Sequence, residues 1–255
     1  MFRERTAIAL EWNLKKMEDI YLMNKMQRIE QLQAKIVDEK LGGAILFYSR
    51  DIFYYTGAAQ PSWLVVLPDQ YFLFVKSGYD FALNDSFIDK SRIRRERRLE
   101  NVHRELFAGI GEKRIGSELD IMPANQYFKY RGIFDGFDFV DISPAILEQR
   151  KIKDSFEIEQ IKKACGAVHA GHDAILSNPC EGITELELAA AVENAHRLAG
   201  HEGHFFFRKP DFFMSRGPFS SGSNLFKFTG LVYSITGVGL SPSIPAGPSM
   251  RKIRK

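Results

Sequence analysis

The residues whose types and spacing could support chemistry cluster in the last third of the chain. His201 and His204 lie three apart with Glu202 between them, at a predicted helix-to-strand junction. Two imidazoles at that spacing can ligate a metal, but a catalytic zinc site takes three protein ligands and an open position. Glu202 is badly placed to be the third, so a surface or substrate-pocket role fits better, and His204 and Arg208 are the substrate-pocket candidates. His169 and His172 are three apart on a predicted helix, with His172 on its apolar face, where a satisfied core histidine is expected. Ser220, Ser221, Ser223 and Ser241 offer hydroxyls. A nucleophilic serine needs a base in hydrogen-bond reach and a group to orient that base, and no Gly-x-Ser-x-Gly occurs. Gly237-Val238-Gly239 follows a strand pattern, yet Pro242 and Pro245 interrupt the helix that a dinucleotide site requires. A turn leaving the strand is expected there. No residue emerges as catalytic, and none as a metal ligand.

The charge pattern points the same way. The chain carries a net charge of +3, but from Phe212 to Lys255 there is no Asp, Glu or His, only six Lys and Arg; the first 211 residues sum to −3. A metal site built from side chains of that last segment is excluded, because hard cations require carboxylate-type oxygen donors and softer ones imidazole or thiolate. A mildly acidic body with a basic tail is not the profile of a nucleic-acid-binding protein, which gathers its cations on one face or along a helix. No apolar run approaches the roughly 20 residues that span a bilayer. The first residues, MFRERTAIALEWNLKKMEDIY, are charged throughout and hold no signal-peptide core. Two cysteines, Cys165 and Cys180, fit reduced intracellular thiols better than a disulfide framework. A cytoplasmic chain without nucleic-acid or membrane partners is the expectation.

The elements that would position these residues can be read from periodicity. With 255 residues, 45% hydrophobic and 26% charged, the chain is long enough for one or two domains. Leu14, Met17, Ile20, Tyr21, Met26, Ile29, Leu32 and Ile36 predict a helix over 12–41, stopped by Gly42-Gly43. AILFYS (44–49) reads as a buried strand. WLVVLP (63–68) and YFLFVK (71–76), separated by Asp69-Gln70, read as a hairpin buried on both faces. The run SRIRRERRLENVHREL (91–106) is a basic patch. As a helix it buries Leu99, Val102 and Leu106 and pairs its arginines with Glu96, Glu100 and Glu105 four residues apart; a solvated face is the first reading, RNA or membrane contact the second. RIGSE (114–118) and FDFVDIS (137–143) are further strands, with a helix over 123–132 between them. Alternation of this kind predicts an α/β domain over about 25–145.

Residues 148–154, EQRKIKD, read as a polar connector. Beyond it, Asp154 with Glu157 has the spacing of a capping box. Ile158, Ile161, Cys165, Val168, His172 and Ile175 then trace one helical face, ended by Asn178-Pro179. Thr184 with Glu187 caps a second helix, with Leu188, Val192 and Ala195 inward and Gly200 closing it. HFFFRK (204–209) and LVYSITG (231–237) read as strands.

Taken in order, several of these segments resemble a known family. Arg150–Ala164, RKIKDSFEIEQIKKA, resembles the start of the catalytic domain of the creatinase, prolidase and aminopeptidase P family, the pita-bread metallohydrolases. Gly182-Ile183-Thr184-Glu185 is similar to the turn before that family's second helix, and Gly200 to Phe207 to its aromatic-rich strand. Upstream, Asp51–Gly57 (DIFYYTG) and the hairpin after it look like the family's N-terminal domain. The resemblance implies an α/β N-terminal domain (1–150, with a leading helix) followed by a partial α+β pita-bread domain (151–255).

It also implies an activity: hydrolysis of a peptide bond, often one preceding proline, by two divalent metals (Mn, Co or Zn) held by two Asp, one His and two Glu. Such a pair activates a bridging water and polarises the scissile carbonyl. In the family all five ligands come after the point this chain reaches, so no cofactor is expected in this chain, and the loop from Gly239 to Arg251 reads as an interior connector of a truncated member. Pro245-Ala246 stands where family peptidases carry Pro-His; a missing preorganised donor of that kind typically costs on the order of 10²–10³ in rate. The chain is therefore expected to be an Xaa-Pro aminopeptidase- or prolidase-like protein that is inactive by itself, with peptide substrate and a homodimeric state carried over from full-length relatives. The alternative is a non-catalytic peptide- or protein-binding module of the same fold.

Overall fold

The computed structural model describes residues 25–178, 181–203, 205–209, 213–214, 219–227, 237–241 and 247–254. The chain divides into two compact units, Met1–Asp154 and Ser155–Lys255.

The first unit opens with helix α1 (25–38), which buries Ile29, Leu32 and Ile36 at three- and four-residue steps. It ends before the glycines that the sequence offered as its stop. Lys40 takes the left-handed conformation (φ 53°), the N–H of Leu41 donates to Ile36 O and that of Lys40 to Val37 O. This is a Schellman closure, with buried Leu41 and Ile36 supplying its apolar contact. The predicted helical residues 12–24 lie outside the described residues. Strand β1 (Gly43–Leu46) follows, then a helix that the sequence reading missed, α2 (Ser49–Thr56), formed by the DIFYYTG stretch and terminated by Gly57 at φ 81°. Strands β2 (Ser62–Val66) and β3 (Tyr71–Val75) make the expected hairpin, closed by Leu67 N–H donating to Gln70 O. Helix α3 (Tyr79–Asp85) leads to β4 (Ile93–Arg95).

The basic stretch 91–106 is thus not one helix. It is a strand followed, after a break, by α4 (Leu99–Leu106), which buries Leu99 and Val102 as its periodicity required. Strand β5 (Arg114–Ser117), α5 (Ala124–Ile133), β6 (Asp138–Asp141) and α6 (Ser143–Lys151) complete the unit. Residues 148–151 are helical, so the connector shrinks to 152–154.

The six strands form one sheet in the order β4-β3-β2-β1-β5-β6. β1, β5 and β6 run parallel, β3 and β4 run parallel, and β2 is antiparallel to both of its neighbours. Alternation along the strands sends side chains to two cores. Leu46, Leu64, Val66, Leu73 and Val75 pack with α1, α2 and α6 on one face. Ile45, Trp63, Val65, Phe72, Phe74 and Ile115 pack with α4 and α5 on the other. Burial on both faces explains why the strands read as continuous apolar runs.

The second unit contains α7 (Ser155–Ser177) and α8 (Glu185–Leu198), an antiparallel strand pair β7 (Phe205–Phe206) and β8 (Phe213–Met214), and a 3₁₀ turn Gly222–Phe226. The capping box at Thr184 and Glu187 forms in full. The burial predicted for α7 does not. Its only buried residue is Gly171, where a Cβ would collide with the His196 ring of α8. The helix contact is centred on that glycine, about a quarter turn from the Ile161–Val168 row. Ile158, Ile161, Val168 and Cys165 are consequently exposed, Val168 by 65%. His172 is exposed as well, rather than a core histidine. Of the strand expected over 204–209, Phe205–Phe206 pairs with Phe213–Met214, residues 207–209 are not strand, and 204 lies outside the described residues. The one expected over 231–237 falls on residues outside the described set, save Gly237.

Candidate functional site

Three groups of polar side chains have the density that sites require. The first is centred on Glu185 of the Gly182–Glu185 turn, a fully buried carboxylate at the N-terminus of α8. Its Oε1 accepts from Ser221 N–H (2.7 Å) and Oγ (2.9 Å), its Oε2 from Ser249 N–H (3.0 Å) and Oγ (2.6 Å), and Asn224 Nδ2 donates to Oε2 at 3.2 Å. Burial alone pushes this carboxyl up, but the hydrogen bonds from Ser249 and Ser221 hold it below the ordinary glutamate range. Beside it, residues 249–253 pair with 182–186: Leu186 N–H donates to Ser249 O, Glu185 N–H to Arg251 O, and Ile253 N–H to Ile183 O. Ser221 is thus a donor to a carboxylate, with no imidazole among its partners, and the serine-nucleophile arrangement is absent among the described residues. Gly237 (φ 72°) donates its N–H to Lys227 O, and Val238 N–H donates to Asn224 Oδ1. The cluster is a structural lock joining three distant segments.

The second group lies in the first unit, at the carboxyl ends of β1 and β5. Glu118 is completely buried and accepts from the N–H groups of Phe47 (3.0 Å) and Tyr48 (3.3 Å). Burial, reinforced by Asp51, pushes its carboxyl up to about 8. Asp51, also fully buried, pairs with Arg150 at 2.6 Å. Tyr55 OH donates to Gln149 Oε1, Gln149 Nε2 to Arg28 O, and Arg28 bonds both Tyr54 O and Asp154 (2.6 Å). Burial pushes the Tyr55 hydroxyl well up. Arg150 and Asp154, two residues of the RKIKD motif, therefore fasten α6 and its exit to α1 and α2. Sequence reading found the motif but not its partners. Asp51 lies 99 residues from Arg150 in the chain, and only the sheet brings Asp51, Glu118 and Arg150 together. A pair of neighbouring carboxyls with one raised can move protons, but this one is closed to solvent.

The third group is His169, His172 and Asp173 on α7, whose ligand atoms lie within 4.8 Å of one another, all exposed. The rings of His169 and His172 stack at 6.1 Å. The donor set does not fit the metal pair that the resemblance implies. It offers two imidazoles and one carboxylate from a single exposed helix, where the pair takes two Asp, one His and two Glu. Of the substrate-pocket candidates, Arg208 is half-buried beyond β7, while His204 and Ala246 lie outside the described residues. His201 sits after α8, with its N–H donating to His196 O. No helix of the described residues is long and apolar enough to cross a membrane.

Known proteins share this architecture. Residues 28–152 match the Creatinase/Prolidase N-terminal domain. Among solved structures, the prolidase from Pyrococcus horikoshii OT3 superposes with a TM-score of 0.62 at 21% identity, covering 71% of this chain and 51% of that one. The prolidase from Pyrococcus furiosus gives 0.61 at 22%, covering 69% and 54%. The Xaa-Pro dipeptidase from Bacillus anthracis gives 0.64 at 20%, covering 71% and 51%. The chain spans about half the length of these structures. No curated protein matches it in sequence. With a six-stranded sheet covered by helices on both faces and a domain match that spans it from α1 to α6, residues 28–152 form a Creatinase/Prolidase N-terminal domain, and the chain shares the prolidase fold.

Proposed function

We propose that this polypeptide is a prolidase- or Xaa-Pro aminopeptidase-like protein that does not hydrolyse peptides by itself. The observation that carries the reading is the donor inventory. Among the described residues, the only cluster of His, Cys, Asp and Glu with metal-ligand spacing is His169, His172 and Asp173, and residues 212–255 hold no Asp, Glu or His. Binuclear hydrolysis needs several hard oxygen ligands converging on two ions, and neither feature supplies them. The Mn, Co or Zn pair, the peptide substrate and a homodimeric state belong, in this reading, to full-length relatives. The two-cysteine composition supports a cytoplasmic location. Incubating the purified chain with Mn, Co or Zn and an Xaa-Pro dipeptide tests the reading: no cleavage is expected, and chelator-sensitive cleavage overturns it.

A second reading, a non-catalytic peptide- or protein-binding module of the same fold, is favoured by one observation. The apolar side chains of Ile158, Ile161 and Val168 stand exposed along α7. Saturable binding of an Xaa-Pro peptide without cleavage, abolished by Ile161→Glu, supports this second reading; no binding removes it.

A further inference from the structure

The basic stretch 91–106 does not end up as a uniformly solvated face. Its strand half spends its arginines locally: Arg94 forms an ion pair with Glu105 and stacks 3.8 Å over Phe72, and Arg95 lies 4.8 Å over Tyr79. The other half does not. Arg97, Arg98 and Arg104 line a cavity of about 1030 Å³, joined by Lys76 from the end of β3 and Lys129 from α5. Glu100 is the only carboxylate in the lining. None of the five cations forms an ion pair among the described residues. Arg97 Nε donates to Lys76 O, Arg104 bonds the Asn101 amide oxygen, and Lys76 Nζ stands 4.5 Å over the Trp63 ring. Glu96, just outside the lining, has its carboxylate occupied by the N–H groups of Arg97 and Arg98 and by the Asn101 amide.

Two further features put positive potential in the same place. The N-termini of α4 and α5 both border the cavity, through Arg98, Leu99, Pro123 and Asn125. Neither N-cap side chain closes its helix, although Glu96 accepts from Arg98 N–H at the start of α4 and Asn125 Oδ1 from Gln126 N–H in the first turn of α5. The remaining first-turn N–H groups and the positive end of the helix dipole favour an anion there. Lys76 is also held below the ordinary lysine range, by burial and then by the nearby charge of Lys129. Cations crowded in this way, without carboxylate partners, gain most from a ligand that brings several negative charges together.

The geometry points to a binding site for a compact polyphosphate on the N-terminal domain. A chain of phosphates matches several separate cations and two helix ends at once, which a single carboxylate does not. The aromatic floor argues against a base-reading site. Trp63 is 6% exposed and Tyr130 4%, the indole N–H donates to Tyr130 OH at 2.6 Å, and the indole face is covered by Lys76. Neither ring is left for a nucleobase to stack on, so recognition rests on the phosphates, whether inorganic or carried by a nucleotide. The proposal is independent of whether the chain hydrolyses peptides.

Calorimetric titration of the full chain with inorganic tripolyphosphate, ATP and orthophosphate tests it. Tripolyphosphate is expected to bind one-to-one, ATP within a few-fold of it, and orthophosphate at least about tenfold more weakly. Affinity should fall several-fold between about 50 and 200 mM salt, since charge neutralisation drives the binding. Two double variants, Lys76→Gln with Lys129→Gln and Arg97→Gln with Arg104→Gln, should each weaken tripolyphosphate by about tenfold or more. Lys90→Gln with Arg131→Gln, exposed cations outside the cavity, should leave it unchanged. If one cavity variant fails to fold, the other still decides. No binding of tripolyphosphate, equal losses in the control variant, ATP more than about tenfold tighter than tripolyphosphate, or tighter binding of polyglutamate or a single-stranded oligonucleotide would each overturn the assignment.

Discussion

Replacing Glu185 by Gln isolates what its carboxylate contributes, because the substitution keeps the shape and removes only charge and one acceptor. Each carboxylate oxygen accepts a backbone N–H, Ser221 on one side and Ser249 on the other. A serine hydroxyl can turn to accept from an amide NH₂, but a backbone N–H cannot. Whichever way the introduced amide is oriented, its NH₂ therefore faces a backbone donor, and one buried N–H loses its partner. A hydrogen bond to a charged group contributes about 1.5–3 kcal/mol, and an orphaned buried donor costs about 1–3 kcal/mol. The expected loss is about 3 kcal/mol, read by urea unfolding followed by circular dichroism.

The pH dependence supplies a second check. The folded-state carboxyl of Glu185 lies below its ordinary value of 4.5. Its stabilisation is thus fully present above the unfolded-state value and lost as pH falls through the folded one. The gap between wild type and Glu185→Gln should close in acid. Amide exchange at Ser221 and Ser249 should accelerate in the variant at neutral pH. A variant within about 0.5 kcal/mol of wild type at about pH 7, or a gap that widens in acid, would refute the reasoning.

Other outcomes follow from the same structure. Gly→Ala inside a helix ordinarily gains about 0.5–1 kcal/mol, but Gly171→Ala should lose about 1–3 kcal/mol from overpacking against His196; adding His196→Ala should turn the effect into a gain, and a stabilising single variant would refute the contact. Glu118 is raised from 4.5 to about 8 in the folded state, so the folded protein holds a proton that the unfolded chain releases, and stability should fall as pH rises through that window. Glu118→Gln should flatten this decline, on top of a pH-independent loss because its NH₂ faces the Phe47 or Tyr48 N–H; parallel pH profiles for the two proteins would contradict the burial of that carboxyl.

The strands were the most legible elements. Val65, Val66, Phe72 and Phe74 come from runs too apolar to face water on either side, and a sheet covered by helices on both faces is what such runs require. Helix α2 was hidden because Phe53, Tyr54 and Tyr55 carry the side chains of a strand; its signal was Gly57, a residue suited to the left-handed closing position. The basic run misled as a single helix because charge spacing alone does not reveal that Ile93 pairs beside Leu73. On α7 the apolar row was read correctly as a row and wrongly as a contact, since a glycine, invisible to hydrophobic periodicity, decides where α8 approaches. The Glu185 lock was half legible. Thr184 and Glu187 announce the cap, whereas Ser221, Asn224 and Ser249 reach Glu185 from 36 to 64 residues away. Long-range polar convergence has no sequence period to betray it. The cavity cations shared that obscurity, Lys76 and Lys129 lying in separate elements from the arginines they join.

The central proposal is that this polypeptide does not hydrolyse Xaa-Pro peptides by itself. The most direct measurement combines metal content with turnover of an Xaa-Pro dipeptide on the same purified sample, before and after chelation. The account predicts no retained pair of ions and no cleavage under either condition. Two Mn, Co or Zn ions per chain together with cleavage abolished by chelator would contradict it.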